Sequence, residues 1–360
     1  MKIVFDCRYV RLGRHDGISR YTARMVEELA KLHPVTMLIS DERQLEMLPD
    51  LPWIMGTDPA GITEPWISRV VNPHKPDVVF TPMQTMGPGG RDYALVTTIH
   101  DLIYYTHRTP PRDLNPAVRL LWRGYHLWWG FQRALLNRAD AHVVVSQTTL
   151  QLMQQHRMTR NPTRVIPHGV VHPEPPPVRT APQRRDLVYM GSFMPYKNVD
   201  LLVSAMPSLP DYRLLVMSRV SDAERARLTA LAAGGSIEFL NGASDEEYED
   251  ALRSATALVT ASREEGFGLP IVEAQALGTP VLLSNTPIFH EVGGDAAGFF
   301  DDTVESFVAA VRELEQPGEW QRRSAASVEW ASRYNWPDAA RDLLDVLTET
   351  VARRKQRARN

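Results

Sequence analysis

The chain has 360 residues, of which 43% are apolar and 23% are charged. That length is enough for two domains with real cores, and the composition is that of a folded globular protein. The net charge of −3 provides no basic excess, so nucleic acid is not an expected partner.

The amino-terminal segment and the cysteine content bear on where the protein works. Cys7 is the only cysteine, which excludes an internal disulfide and favours a reducing compartment. In the opening MKIVFDCRYV, charged residues follow too soon for a signal peptide. No apolar run reaches the roughly 20 residues of a membrane span. We therefore expect a cytoplasmic protein, at most peripheral at the inner face of the membrane.

Strand-like apolar runs alternate with segments of helical periodicity, which predicts parallel sheets covered by helices. In the first half the predicted strands are KIVFDC, VTMLIS, DVVFT, ALVTTIH and AHVVVS. In the second half they are LVYMG, RLLVM, SIEFL, ALVTA and TPVLLS. This order predicts an α/β protein with two Rossmann-like domains that face a central cleft.

A proline-rich stretch, HPEPPPVRTAPQRR, interrupts this alternation. Proline breaks both helices and sheets, so the stretch suits a linker. We therefore place the first domain at 1–172, the linker at 173–186, the second domain at 187–335, and a terminal helix with a basic tail at 336–360.

The first loop, LGRHDGISRYT, carries Gly13 and Gly17 before an amphipathic helix. Glycine lets backbone N–H groups approach a phosphate or an acceptor, although glycine before a helix is more often only a turn. The alternative is that Asp16 serves as the N-cap of that helix.

His100 and Asp101 end the buried strand ALVTTIH. A histidine near neutrality can hydrogen-bond a ligand, whereas the plain alternative is a satisfied histidine at a strand end. Asp101 either orients His100 or caps the next segment.

A two-faced helix is predicted within residues 112–138. Arg119 and Arg123 lie on its basic face, and Trp122 and Trp129 lie at the border. The opposite face is an apolar stripe of Leu120, Leu127, Trp128, Phe131 and Leu135. Such a helix fits an anionic membrane surface or a lipid-linked acceptor, but we favour a core helix whose arginines pair with acids.

The run EGFGLPIVE carries the strongest functional signal. Gly266 and Gly268 permit a tight turn, and a helix is predicted from 269 to about 277. The free N–H groups at its start favour a diphosphate. Glu273 is placed to accept ribose hydroxyls and Glu265 to accept sugar hydroxyls, so the run predicts a nucleotide-sugar site.

The loop MGSFMPYKN lies between a predicted strand and a predicted helix. Its backbone amides and Lys197 can therefore meet the phosphates of a donor. The alternative for Lys197 is a solvated loop lysine.

Together the motifs resemble the retaining glycosyltransferases of the GT-B fold, in the family 4 group with many bacterial mannosyl- and glucosyltransferases. The segments that carry the resemblance are VTTIHDL, ADAHVVVSQTT, RVIPHGV, LVYMGSFMPYKNVDLLVSA, EGFGLPIVEAQALGTPVLLS, IFHEVGGDAAGFFD and YNWPDAARDLLDVL. The chain departs from the family at Ser192, where arginine is common, at His168, where asparagine is usual, and at Ser19, where glycine is usual.

The resemblance implies roles for individual residues, and it implies that the last helix crosses back to the first domain. The implied catalytic residues are His100, Glu265 and Lys197. The implied donor-binding residues are Gly191, Ser192, Lys197, Glu265, Gly266, Phe267, Gly268, Leu269 and Glu273. The implied acceptor-side residues are Gly13, Gly17 and Asp101.

The resemblance also implies the reaction, which is retaining transfer of a hexose from a nucleoside-diphosphate donor to a hydroxyl of a glycan or lipid-linked acceptor. No cofactor is expected, and the sequence contains neither an Asp-x-Asp pair nor a zinc cluster, so metal independence is expected. GDP-mannose is the preferred donor because GSFMPYKN resembles mannosyltransferase-like members. The alternatives are a UDP-sugar transferase, a sugar-nucleotide epimerase, a phosphorylase-like enzyme and a catalytically weak nucleotide-sugar-binding protein.

Overall fold

The computed structural model describes residues 1–13, 15–107, 119–120, 124 and 129–359. The chain divides into two compact units. Unit 1 comprises Met1–Gly169 and Asn335–Asn360, and unit 2 comprises Val170–Tyr334. The first boundary thus lies slightly before the predicted one, and the proline-rich stretch belongs to unit 2.

Unit 1 contains a seven-stranded parallel sheet. Its strands are β1 (Ile3–Asp6), β2 (Val35–Ile39), β3 (Trp53–Met55), β4 (Val78–Thr81), β5 (Ala94–Ile99), β6 (Ala141–Val144) and β7 (Thr163–Val165). The order across the sheet is β3-β2-β1-β4-β5-β6-β7, with Ile3 opposite both Val35 and Val78. The direction of strand addition therefore reverses between β1 and β4.

Unit 2 contains a six-stranded parallel sheet of the same kind. Its strands are β8 (Asp186–Tyr189), β9 (Arg213–Val216), β10 (Ile237–Phe239), β11 (Ala257–Thr260), β12 (Val281–Ser284) and β13 (Gly298–Phe300). The order is β10-β9-β8-β11-β12-β13, so the reversal falls between β8 and β11. The two α/β units confirm the predicted fold class.

Helices connect the strands in both units. They are α1 (Gly17–Leu32), α2 (Ser68–Val71), α3 (Ile103–Thr106), α4 (Trp129–Leu136), α5 (Gln147–Gln155), α6 (Val199–Ala205), α7 (Asp222–Leu231), α8 (Asp245–Ser254), α9 (Leu269–Ala276), α10 (Pro287–Gly293), α11 (Val304–Glu313), α12 (Glu319–Ala331) and α13 (Trp336–Arg357). In the described part of the chain, no helix is both long enough and apolar enough to cross a bilayer.

The terminal helix α13 belongs to the core of unit 1. Trp336, Leu343 and Leu347 are buried in one cluster with Phe5 and Met25, from β1 and α1. The prediction that the last helix crosses back to the first domain is therefore confirmed.

All ten predicted strands are present, but three short strands were missed. β3, β7 and β13 lie at the sheet edges, and none exceeds three residues. β3 and β7 have no fully buried residue. A short edge strand is covered on fewer sides, so it does not need the continuous apolar run by which the others were found.

Candidate functional site

The loops after β8 and β11 lie at the point where the strand order of unit 2 reverses. In open parallel sheets, ligands bind at the carboxyl ends of the strands that flank such a reversal. The loop after β8 carries Lys197, and the loop after β11 carries Glu265. The fold thus brings together two predicted catalytic residues that are 68 positions apart in sequence.

Lys197 and Glu265 form an ion pair between the lysine Nζ and Oε1 of the glutamate. Their side chains are only 13% and 17% exposed. The backbone N–H of Arg263 donates to the carbonyl of Tyr196 at 2.8 Å, which joins the two loops directly beside the pair. Lys197 is therefore not the solvated loop lysine of the alternative interpretation.

The glycine-rich turn after Glu265 leads into α9 as predicted. Gly268 has a φ of +95°, a conformation that favours glycine, and a Cβ there would lie 2.9 Å from Cδ1 of Ile271. α9 begins at Leu269, so its first backbone N–H groups follow this turn immediately. Glu273 lies on α9 about one turn from its start and is partly exposed.

Phe267 was predicted in the donor-binding set, but its ring is part of the core of unit 2. It is only 4% exposed, and it packs edge-on against Tyr334 with a centroid separation of 5.5 Å. Only the backbone of Phe267 is then suited to contact a donor.

Two hydrogen bonds hold the start of the loop MGSFMPYKN, at residues 190–198, in place. The N–H of Gly191 donates to Oγ of Ser218 at 2.9 Å, and the hydroxyl of Tyr189 donates to the carbonyl of Ser192 at 2.6 Å. A Cβ on Gly191 would lie 2.8 Å from that same hydroxyl, so a larger residue there would have to displace Tyr189. Sequence reasoning missed Tyr189, although a tyrosine in a buried strand needs a partner for its hydroxyl.

The equivalent reversal in unit 1, between β1 and β4, holds a buried charge cluster that sequence reasoning missed. Arg8 donates to Asp6 at 2.8 and 3.0 Å, to Glu64 at 2.5 and 3.1 Å, and to the carbonyl of Thr57 at 3.1 Å. All five N–H groups of the guanidinium are therefore used. Its side chain is fully buried. The signal was an Asp and an Arg at the end of an otherwise apolar strand.

His100 follows β5 directly, and its hydrogen bond sets its tautomer. Nε2 lies 2.8 Å from the carbonyl oxygen of Pro82, which can only accept. Nε2 therefore carries the proton, which makes Nδ1 the acceptor nitrogen. Burial lowers the pKa of His100 to about 4, so the ring is neutral at neutral pH.

His168 packs beside His100, where the family usually has asparagine. Its ring centroid lies 5.4 Å from that of His100 and 4.8 Å from that of Tyr21. Burial lowers the pKa of His168 well below its usual range, with a smaller effect of the same sign from His100. Two neutral histidines thus lie side by side in unit 1.

Asp101 makes a hydrogen bond of the kind that the capping alternative predicts. Its Oδ1 accepts a hydrogen bond from the N–H of Ile103 at 3.1 Å, at the start of α3. The N-cap position of α3 is Leu102, so Asp101 bonds to the helix from one residue before the cap, and its role towards His100 stays a prediction.

The first loop has the predicted cap and an open surface. Oδ1 of Asp16 accepts from the N–H of Ser19 at 2.9 Å, which confirms the N-cap of α1. Gly13 has a φ of +69°, and a Cβ at Gly13 or Gly17 would meet no atom within 4 Å. Ser19 is fully buried, with its Oγ 2.7 Å from Nδ1 of His15.

The predicted apolar stripe of the helix within 112–138 is wrong at two of the positions that the structure describes, whereas Leu135 is half-buried. Leu120 is 72% exposed and Phe131 is 51% exposed, although both were assigned to the buried stripe. Gln132 is fully buried instead, because its amide donates to Gln84 at 3.1 Å and its carbonyl accepts from Tyr105. A hydrogen-bonded amide takes the position that periodicity alone assigns to an apolar residue.

The aromatic and basic residues proposed for membrane contact are only partly described. Trp122 and Arg123 lie outside the described residues. The ring of Trp129 is stacked between Tyr105 and His156, at centroid distances of 4.2 and 4.3 Å. Both faces of Trp129 are therefore covered within unit 1, which favours the core interpretation.

Two family models together match most of the chain. The model described as Glycosyltransferase Family 4 matches residues 15–172, and the model described as Glycosyl transferases group 1 matches residues 174–327. The chain therefore belongs to the group 1 and family 4 glycosyltransferases, and the predicted family is confirmed.

The chain is also similar to a named relative and to solved structures. The MMP alpha-(1->4)-mannosyltransferase of Mycolicibacterium hassiacum is 26% identical over 283 residues, which cover 72% of this chain and 66% of that relative. Sucrose-phosphate synthase from Thermosynechococcus elongatus superposes with a TM-score of 0.73 at 20% identity, over 98% of this chain and 100% of the other. Anabaena HepE in complex with UDP and glucose superposes with a TM-score of 0.72 at 16% identity, over 97% of this chain and 100% of the other. These structures confirm the GT-B fold class, whereas the cleft between the units stays a prediction.

Proposed function

We propose that this protein is a retaining hexosyltransferase that moves mannose from GDP-mannose to a hydroxyl of a glycan or lipid-linked acceptor. The observation that carries the proposal is the meeting of Lys197, Glu265 and the start of α9 where the strand order of unit 2 reverses. That region lies within the segment matched by the group 1 model. The choice of mannose is supported by the mannosyltransferase of M. hassiacum.

The donor diphosphate would be held by positive charge and backbone donors. Lys197 supplies a cation, and the first turn of α9 supplies N–H groups with the positive end of the helix dipole. These groups would stabilise the negative charge that develops as the diphosphate departs, without a metal ion. Glu273 would accept the ribose hydroxyls, and Glu265 would accept hexose hydroxyls.

Transfer would occur on one face of the sugar, as retention requires. The bond between the anomeric carbon and the phosphate oxygen breaks, and a bond to the acceptor oxygen forms from the same side. The proton of the acceptor hydroxyl passes to the departing phosphate. No protein nucleophile is needed, and neutral His100 would accept a hydrogen bond from a sugar hydroxyl through Nδ1.

Two other functions have specific support. A UDP-hexose donor is favoured by the likeness to HepE, whose structure contains UDP and glucose. A nucleotide-sugar-binding protein with weak catalysis is favoured by Ser192, which provides no charge where arginine is common. Cytoplasmic location and peripheral membrane contact stay predictions.

A thermal-shift panel of GDP, UDP, ADP and TDP tests the donor class. A true ligand at 100 times its dissociation constant stabilises the folded protein by about 2.7 kcal/mol. We expect GDP to give the largest shift. A larger shift with UDP would favour the UDP-hexose alternative, and no shift with any of the four would contradict the proposal. Hydrolysis of GDP-mannose separates an active transferase from a binding protein.

A further inference from the structure

We propose that the Lys197–Glu265 ion pair makes the site prefer the intact sugar nucleotide over the nucleoside diphosphate that remains after transfer. This inference rests on the proposed function, because it assigns the two residues to one donor. Glu265 would thus act as a specificity-determining residue for donor against product, in addition to holding the hexose.

The ion pair is held by its surroundings rather than formed by chance at the surface. The carboxylate of Asp302 accepts from Nε of Arg263 at 2.9 Å and from Nδ2 of Asn198 at 2.5 Å. It therefore ties the residue after Lys197 to the loop that carries Glu265. Together with the backbone bond from Arg263 to Tyr196, this fixes the spacing of the two loops.

The diphosphate and Glu265 compete for the same cation. Within the described ranges, Lys197 is the one cation within ion-pair distance of Glu265. If phosphate oxygens take the ammonium, the Glu265 carboxylate is left largely buried beside added negative charge. A carboxylate in that position is unfavourable, because burial and a like charge both penalise its ionised form.

The intact donor relieves this penalty, and the product does not. Hexose hydroxyls donate hydrogen bonds to the carboxylate and so replace the bond that Lys197 gave up. The free diphosphate has no such donors beyond its phosphates. The product is therefore held less tightly than its contacts with Lys197 alone would allow, which assists its release after transfer.

The variant Glu265→Gln tests this directly, because it keeps the side-chain shape and removes the charge. Calorimetry would measure dissociation constants for GDP and UDP, and for the 2-deoxy-2-fluoro analogues of GDP-mannose and UDP-glucose, which resist turnover. We expect the variant to bind the preferred free diphosphate about tenfold more tightly, which corresponds to about 1.4 kcal/mol. The preference for the sugar form over the free diphosphate should fall by at least the same factor.

Two controls separate the ion pair from a general charge effect. Glu264→Gln removes one negative charge from the same loop without releasing Lys197, so it should leave the affinity for GDP and UDP nearly unchanged. In a Lys197→Gln background, Glu265→Gln should bring no gain, because the cation is already absent.

The inference is overturned if Glu265→Gln binds neither free diphosphate more tightly than the parent. An equal gain in Glu264→Gln, or a gain that persists without Lys197, also overturns it. If neither the parent nor Glu265→Gln binds any of these nucleotides, the proposed function fails and the inference fails with it. Tight binding of GDP or UDP to the parent without a gain in the variant removes the inference alone.

Discussion

The two sheets reverse their strand order in the same way, but the charged side chains beside the two reversals are bound to a different extent. In unit 1, Arg8 is fully buried between Asp6 and Glu64, with every N–H group bound to protein. In unit 2, Lys197 and Glu265 form a single ion pair, with side chains that are 13% and 17% exposed. At the first reversal the cation has five hydrogen bonds to protein, whereas at the second the cation is paired with one carboxylate.

This difference bears on the proposal that the reversal in unit 2 binds the anionic part of a donor. A guanidinium with five protein acceptors has no donor left for a phosphate. An ammonium paired with one carboxylate can exchange that partner. This contrast supports the proposal that unit 2 holds the diphosphate, because Lys197 can exchange its partner and Arg8 cannot.

The largest effect is expected when Arg8 is removed from its buried cluster with Asp6 and Glu64. Arg8→Leu leaves the carboxylates of Asp6 and Glu64 buried without a cation, so it should destabilise unit 1 by about 3–5 kcal/mol. Hydrogen exchange monitored during chemical denaturation would follow each unit separately. Arg24→Leu, which breaks an exposed pair with Glu27 on α1, should change little. Similar losses in both variants would contradict the special role of the buried cluster.

A pH dependence follows from the buried histidines of unit 1. Burial lowers the pKa of His100 and that of His142 to about 4 from an ordinary value of 6.5. Between these values the unfolded chain binds protons that the folded chain does not, so stability is complete above pH 6.5 and falls as the pH drops towards 4. Each histidine contributes up to about 3 kcal/mol to this loss.

The variant His142→Gln tests whether buried histidines cause this pH dependence. It removes one of the titrating groups, so the stability of unit 1 should fall less steeply with acid than in the parent. Denaturation midpoints measured from pH 7 to pH 4.5 would show the two slopes. Identical slopes would mean that His142 is not neutral in the folded protein.

Glu273→Ala tests the proposed contact of Glu273 with the ribose of the donor. Loss of two hydrogen bonds to a carboxylate should weaken GDP binding by about 2–3 kcal/mol, measured by calorimetry. The matched control is 2′,3′-dideoxy-GDP, which lacks the hydroxyls and should bind parent and variant alike. Equal weakening for both nucleotides would place Glu273 away from the ribose.

The smallest effect is expected when a positive charge is added near Lys197, at position 192. Ser192 is exposed near the start of the loop MGSFMPYKN. Ser192→Arg restores the residue that is common in the family and should strengthen donor binding by about 1 kcal/mol at low salt. Ser192→Gln has a comparable length without charge and should show no gain. A gain of the same size in both variants would exclude an electrostatic cause.

The features that the sequence predicted correctly are local ones. The long apolar strands, the turn at Gly268 and the start of α9 follow from local rules of burial and helix initiation, so they were found. The pairing of Lys197 with Glu265 joins loops that are distant in sequence, and periodicity contains no information about which side chains meet.

Other features were missed because a polar side chain replaced an apolar one. Gln132 occupies a buried position on α4 through hydrogen bonds to neighbours far away in sequence. Arg8 is buried by two carboxylates, one of which lies 56 residues further along the chain. A residue-by-residue hydropathy pattern assigns both side chains to solvent, because their partners appear only once the chain is folded.

The most direct test of the central claim follows GDP-mannose by proton NMR in buffer containing EDTA, with water or methyl α-mannoside as acceptor. We expect the parent to consume the donor and to release an α-configured product first, because the anomeric configuration is retained. Lys197→Ala should consume it far more slowly. A β-configured first product would contradict retention. If neither GDP-mannose nor UDP-glucose is consumed, the claim that unit 2 carries a working donor site is wrong.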